Sequence, residues 1–254
     1  MKHEIFSLKG KVAIITGGYR GIGKAVATYL ADAGADIVIW DLLDATEVAK
    51  EISQEYGVRA TSFICNVTDP DQVAQTVEAS AQAMGTLDIL FNNAGIGPHT
   101  DALEITPDAW KKVMDVNING IFYVATSFAR YLIAHGKGGS IINTASMSGL
   151  IVNVPQRHTH YNSSKAAVIQ MTKSLAIEWA DKNIRVNCIS PGYIATDLIK
   201  EVRQDWKDEW VSRIPFKRMG KPEELAGAVI YLASDAATYT SGSNIVIDGC
   251  YTVV

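Results

Sequence analysis

The chain has 254 residues, 48% hydrophobic and 20% charged, an ordinary globular balance with enough apolar material for one large core. With 23 Lys and Arg against 27 Asp and Glu, the formal net charge is -4, and no basic excess draws in a phosphate backbone, which argues against a dedicated nucleic-acid binder. No run approaches the length of a membrane span and Met1 to Gly10 holds no signal-peptide core, while the scattered Cys65, Cys188 and Cys250 suit reduced thiols in a cytoplasmic protein, not a disulfide frame or a metal site.

No repeat, low-complexity tract or linker interrupts residues 1–254, so they are read as a single domain. Short β-branched runs at 11–16 (KVAIIT), 36–40 (DIVIW), 61–65, 88–92 (DILFN), 140–144 (SIINT), 185–189 (RVNCI) and 244–247 alternate with longer helical patterns. The first of these helices is marked by Ile22, Val26, Tyr29, Leu30 and Ala33 on one face, and Gly34 stops it. Strands separated by helices in this way predict an α/β fold: a doubly wound, Rossmann-type sheet of about seven parallel strands, with helices on both faces.

Directly after the first run comes Thr16-Gly17-Gly18-Tyr19-Arg20-Gly21-Ile22-Gly23, which opens the helix. Glycines here let the backbone turn sharply and approach a pyrophosphate, and the N–H groups and dipole of the helix start favour its negative charge. The second run leads into Asp41, 24 positions after Gly17. An acid at that point accepts hydrogen bonds from an adenosine ribose and repels a 2′-phosphate, so the expected cofactor is NAD, with NADP the lesser alternative. Arg20 pulls the other way: it is either a solvated loop cation or a partner for a 2′-phosphate.

Four features then arrive in order: Asn92-Asn93-Ala94-Gly95 after the fourth run, Asn117 in a helix, Ser146 just past the fifth run, and Tyr161 with Lys165. A separation of four puts Tyr161 and Lys165 on one helical face, where an ammonium group favours the phenolate. An unperturbed tyrosine, with a pKa of about 10, is too weakly acidic to be an efficient base at neutral pH. With Pro191-Gly192 and Asp248-Gly249 added, the pattern resembles the short-chain dehydrogenase/reductase family over essentially the whole chain.

That resemblance implies that Tyr161 exchanges a proton with the substrate oxygen as hydride passes between the substrate carbon and a nicotinamide. Lys165 would hold the nicotinamide ribose, Ser146 the substrate oxygen, and Asn117 a water that leads protons to solvent. It further implies cofactor contacts from Gly17, Tyr19, Arg20, Gly21, Ile22 and Gly23, from Asp41, Asn66 and Val67, from Asn92, Ala94 and Gly95, and from Ile189, Pro191, Gly192, Ile194 and Thr196. Asn66 departs from the pattern, since many relatives carry aspartate there against the adenine amine, but an asparagine oxygen can accept the same bond. Cys250 stands where glycine is common, and the 15 positions from Ser146 to Tyr161 are slightly more than usual.

Within the family, residues 146–156 (SMSGLIVNVPQ) and the ending DGCYTV look like the sugar-alcohol dehydrogenase and ketose reductase subgroup. Telling one hydroxyl from another needs placed amides and hydroxyls, so substrate contacts are expected from Ser146, Ser148, Asn153, Gln156, Tyr161 and Tyr193. His158 and His160 could add polar groups but read better as surface loop. Residues 193–214 are the expected substrate lid, in which Trp206 and Trp210 either close the pocket or anchor the lid. Two rivals stand beside this reading: an NADP-dependent reductase of bulkier carbonyl or acyl substrates, which Asp41 opposes, and a non-catalytic member of the fold, which would lack Tyr161 or Lys165. Finally, 11 of the 20 residues from 161 to 180 are apolar, which predicts a helix buried on two sides and a homotetramer.

Overall fold

In the computed structural model, which describes residues 4–254, the β-branched runs form strands and the amphipathic stretches between them form helices. Met1 to His3 and the side chains of Leu198 and Lys200, parts of the N-terminal and lid segments considered above, lie outside the described residues. The first half of the chain runs β1 (Val12–Thr16), α1 (Gly21–Asp32), β2 (Asp36–Asp41), α2 (Thr46–Tyr56), β3 (Ala60–Ile64), α3 (Pro70–Met84) and β4 (Ile89–Asn92). The second half runs α4 (Pro107–Met114), a wide π-helical turn (Asp115–Gly120), α5 (Ile121–Ala134), β5 (Gly139–Thr144), α6 (Thr159–Glu178) and β6 (Ile184–Pro191). It closes with α7 (Asp197–Lys200), α8 (Gln204–Arg213), α9 (Ala226–Ala233) and β7 (Asn244–Ile247).

The strands pair in the order β3-β2-β1-β4-β5-β6-β7, and every pairing is parallel. Alternate side chains of β1 serve two cores. Ala13 and Ile15 pack with α1, α2 and α9 on one face, and Val12 and Ile14 with α3, α5 and α6 on the other. Burying one such aliphatic side chain stabilises the fold by roughly 1.5–3 kcal/mol, which is why these strands read as unbroken apolar runs. Between β1 and β4 the winding reverses, and the crevice at the carboxyl ends of these two strands is where an open parallel sheet receives a ligand.

The predicted strands move by one or two residues at their ends. The largest change is β6, which continues through Ser190 and Pro191 because both pair with β7. Residues 198–213, whose charged pattern reads as one helical stretch, form two short helices instead, α7 and α8. The helix α6 buries one face against the sheet, and its outward positions Ser163, Ala166, Gln170, Ser174 and Ile177 are exposed in the single chain.

Candidate active site

The turn between β1 and α1 is shaped for close approach. Gly17 and Gly21 have φ of 65° and 58°, and a Cβ on Gly23 would stand 2.0 Å from the Gly17 carbonyl oxygen. No side chain caps α1, so the N–H groups of its first turn are left for a ligand. Asp41, at the end of β2, accepts the backbone N–H of Tyr19 at 3.0 Å and that of Leu43 at 3.1 Å, one on each carboxylate oxygen. Each oxygen keeps lone-pair capacity for a ribose hydroxyl. Arg20 is exposed, and Ile22 turns its side chain into the core, leaving only its backbone for a cofactor. These features fit a dinucleotide.

Around this turn the structure separates residues that hold the crevice from residues that line it. Asn92 is buried, donates to the Ile121 carbonyl at 2.8 Å and accepts from the Thr16 hydroxyl at 3.4 Å, so its side chain ties β1, β4 and α5 together and leaves its backbone for a cofactor. The next residue, Asn93, was not singled out, yet its amide donates to the Thr16 and Gly17 carbonyls and holds the glycine turn. Ala94 donates its N–H to the Thr16 hydroxyl at 3.0 Å. The Asn66 side-chain oxygen already accepts from the backbone and hydroxyl of Thr68, so an adenine amine would have to compete for it. Val67 packs on Gly120 of the π-helical turn.

On the other side of the crevice Ile189 is wholly buried in the core, and Pro191 ends β6. A Cβ on Gly192 would lie 2.7 Å from the Asp248 Cα. Ile194 bridges to Gly220, and Thr196 lies opposite Gly21, which brings the start of residues 193–214 beside the glycine turn.

Asn117, Ser146, Tyr161 and Lys165 converge at the carboxyl ends of β4 and β5. Asn117 sits wholly buried in the π-helical turn, a widening of the helix of the kind that recurs at functional sites. Its amide clamps the backbone of Ile96, accepting at 2.9 Å and donating at 2.8 Å, and also donates to Ser164 at 3.0 Å. Ser164 in turn donates to the Tyr161 carbonyl, so Asn117 braces the first turns of α6. A Cβ on Gly95 would come within 3.3 Å of the Asn117 oxygen and 3.5 Å of Lys165 Nζ, and one on Gly97 within 3.1 Å of the Tyr161 ring. Gly97 was not anticipated from the sequence, because its requirement comes from a side chain 64 positions away.

Lys165 is buried, its Nζ 2.7 Å from the Thr144 carbonyl, and burial without a carboxylate partner pulls its pKa down to about 8. Its ammonium group lies 5.6 Å from the centre of the Tyr161 ring. The expected depression of the Tyr161 pKa is not seen. Burial of the phenol raises it, and the hydrogen bond with Ser146 offsets only part of that rise. The Ser146 hydroxyl also accepts the N–H of Ser148 at 3.1 Å, in a turn pressed against α6.

The loop after Ser146 reaches residues 193–214. Gln156 donates to the Tyr193 hydroxyl at 2.8 Å and accepts from the Trp210 indole at 2.7 Å. Its amide is thus used within the protein, contrary to its expected freedom for substrate. Asn153 donates to the same Tyr193 hydroxyl at 3.3 Å, but its oxygen has no partner. Tyr193 stacks on Trp210 with centroids 4.3 Å apart. Of the two tryptophans in residues 193–214, Trp210 is buried and bonded to Gln156, and Trp206 sets an edge on His99. The surface placement expected for His158 and His160 is corrected, since both are buried, 6% and 0% exposed. Among the described residues no group of side chains is placed to hold a metal ion.

Residues 17–252 match the family model described as Enoyl-(Acyl carrier protein) reductase. The chain is 47% identical to the sorbose reductase of Candida albicans over 98% of its own length and 89% of that protein. It is also 47% identical to a probable NADP-dependent mannitol dehydrogenase of Yarrowia lipolytica, over 98% and 90%. A solved short-chain type dehydrogenase/reductase from Mycobacterium marinum superposes with a TM-score of 0.92 at 43% identity, covering 99% of this chain and 98% of that one. With the glycine turn, Ser146, Tyr161 and Lys165 assembled in one crevice, these likenesses show that the chain belongs to the short-chain dehydrogenase/reductase family, the nicotinamide-dependent oxidoreductases of alcohols and ketones.

Proposed function

We propose that this protein interconverts a sugar alcohol and its ketose, using NAD(H). The observation that carries the reading is the stacking of the His158 imidazole on the Tyr161 ring, with buried Asn153 and His160 in the same segment. A hydroxyl-rich substrate fits such polar groups better than an acyl chain, which needs an apolar slot. The sorbose and mannitol enzymes at 47% identity support the same class.

In this reading Gly17, Gly21 and Gly23 admit the pyrophosphate, Asp41 takes the adenosine ribose, and Lys165, held by Thr144, directs its remaining N–H groups to the nicotinamide ribose. A nicotinamide bound in this crevice would supply or accept the hydride. Ser146 and Tyr161 hold the substrate oxygen from two directions. As hydride leaves the carbon, Tyr161 takes the hydroxyl proton; in reduction it gives the proton back. Because burial raises the phenol's pKa in the free protein, Tyr161 rests as an acid, ready for carbonyl reduction, and the Lys165 ammonium favours its phenolate for oxidation.

The preference for NAD rests on Asp41, whose carboxylate the Tyr19 and Leu43 N–H groups hold where a 2′-phosphate would sit. A second reading, an NADP-dependent reductase of bulkier carbonyl or acyl substrates, is favoured by exposed Arg20 and by the NADP dependence named for the Yarrowia relative. Steady-state kinetics with both cofactors against a panel of hexitols, pentitols, ketoses and acyl thioesters separates them. The three free cysteines suit a reducing, cytoplasmic setting, and the small outward residues of α6 suit close pairing of copies in a homotetramer.

A further inference from the structure

Buried polar atoms in folded proteins are almost always hydrogen-bonded, because an unpaired one gives up its hydration and gains nothing. Among the described residues, the buried side-chain atoms without a partner are not scattered. Apart from Asn143 Oδ1 they are Asn153 Oδ1, both ring nitrogens of His158, both of His160, and Asn162 Oδ1, all within residues 153–162. The same ten residues contain Tyr161. The His158 imidazole stacks on the Tyr161 ring at 5.1 Å, and its ring also meets His99 at 5.2 Å. Trp206 then meets His99 at 5.4 Å. The His158 ring, with both nitrogens unpaired, thus stands between the reacting phenol and the His99–Trp206 pair, where unsatisfied groups mark a site that a ligand completes.

We infer that residues 153–162 form a hydroxyl-reading wall with His158 as its specificity-determining residue, and that the ligand completing it is an uncharged polyhydroxylated chain. This inference rests on the polyol and ketose reading above. An imidazole that is not protonated offers one donor and one acceptor, and an amide oxygen offers an acceptor, which together match the two-way bonding of successive hydroxyls. Burial pulls the His158 pKa down to about 4, with His99 and His160 adding to the effect, so the ring stays neutral at physiological pH. The cations beside the wall, Arg157 and Arg203, are paired with Asp101 and Asp205. A sugar acid would bring its carboxylate to neutral rings and already paired guanidinium groups, and be disfavoured.

The test compares His158→Phe, which keeps the ring and removes both nitrogens, with His158→Gln, which keeps a donor and an acceptor. Substrates are a hexitol, an aldonate and a hydroxyl-free secondary alcohol, with NADH affinity and Tm measured alongside. His158→Phe is expected to lower kcat/KM on the hexitol by at least about tenfold and on the simple alcohol by no more than about twofold. His158→Gln should recover most of the hexitol rate, Tm of the Phe variant should hold or rise, and the wild type should favour hexitol over aldonate by at least about tenfold. Equal losses on both alcohols with a lower Tm would show a purely structural histidine and overturn the inference, as would an unchanged hexitol rate or a preference for the aldonate. A wild type that oxidises the simple alcohol but no polyol would instead overturn the functional reading itself, before any variant is made.

Discussion

The carboxylate of Asp41 accepts the backbone N–H of Tyr19 at 3.0 Å, so the last residue of the second strand is bonded to the middle of the glycine turn. Cofactor choice and turn geometry are therefore coupled through one side chain. Asp41→Ala should lower kcat/KM for NADH by at least about tenfold and improve the use of NADPH, since a repelling charge at the 2′ position is gone. Equal use of both cofactors by the wild-type enzyme would refute the role given to Asp41.

Asn153 and Gln156 share the Tyr193 hydroxyl but differ in what they leave unbonded. Asn153 retains a free oxygen, so Asn153→Ala should cost about 1–3 kcal/mol in kcat/KM on polyols and little on a simple secondary alcohol. Gln156 bonds on both ends of its amide, so Gln156→Ala should lower Tm and reduce activity on both substrates alike. Measuring both variants on both substrates checks the contrast.

Acid should destabilise the protein through His158. Its folded pKa of about 4 lies below the ordinary 6.5, so the unfolded chain takes up the proton first as pH falls. The stability held in the neutral buried ring is complete above pH 6.5 and is lost as pH drops toward 4, amounting to about 3 kcal/mol. Urea unfolding of wild type and His158→Phe at pH 7.5 and 4.5 should show a smaller loss in the variant; parallel losses would contradict the assignment.

Light scattering at micromolar concentration tests the assembly. The expected mass is four times that of the 27.5 kDa chain, and a monomer mass would remove the homotetramer.

Much of the fold was legible because parallel strands are buried on both faces and so appear as apolar runs that need no partner to be recognised. The glycine turn, Tyr161 and Lys165 were legible for a similar reason: their spacing is local, within one turn or one helix face. What escaped the sequence depends on distant contacts. Nothing near Asn92 and Asn93 distinguishes the strand-tying amide from the turn-holding one, although strict alternation along β4 would have pointed Asn92 inward. His158 looks solvated until His99, 59 positions before it, packs on its ring. The direction of the Tyr161 pKa was misjudged because the i,i+4 rule brings Lys165 near the ring but says nothing of the burial that outweighs it.

The central claim is that Tyr161 moves the proton in a polyol and ketose oxidoreduction. It is tested most directly by the turnover of Tyr161→Phe on the best polyol, with NADH binding followed by fluorescence in the same samples. Turnover should fall by at least about a hundredfold while the Kd for NADH stays near the wild-type value. Retained turnover, with NADH still bound, would show that another group carries the proton and would contradict the account.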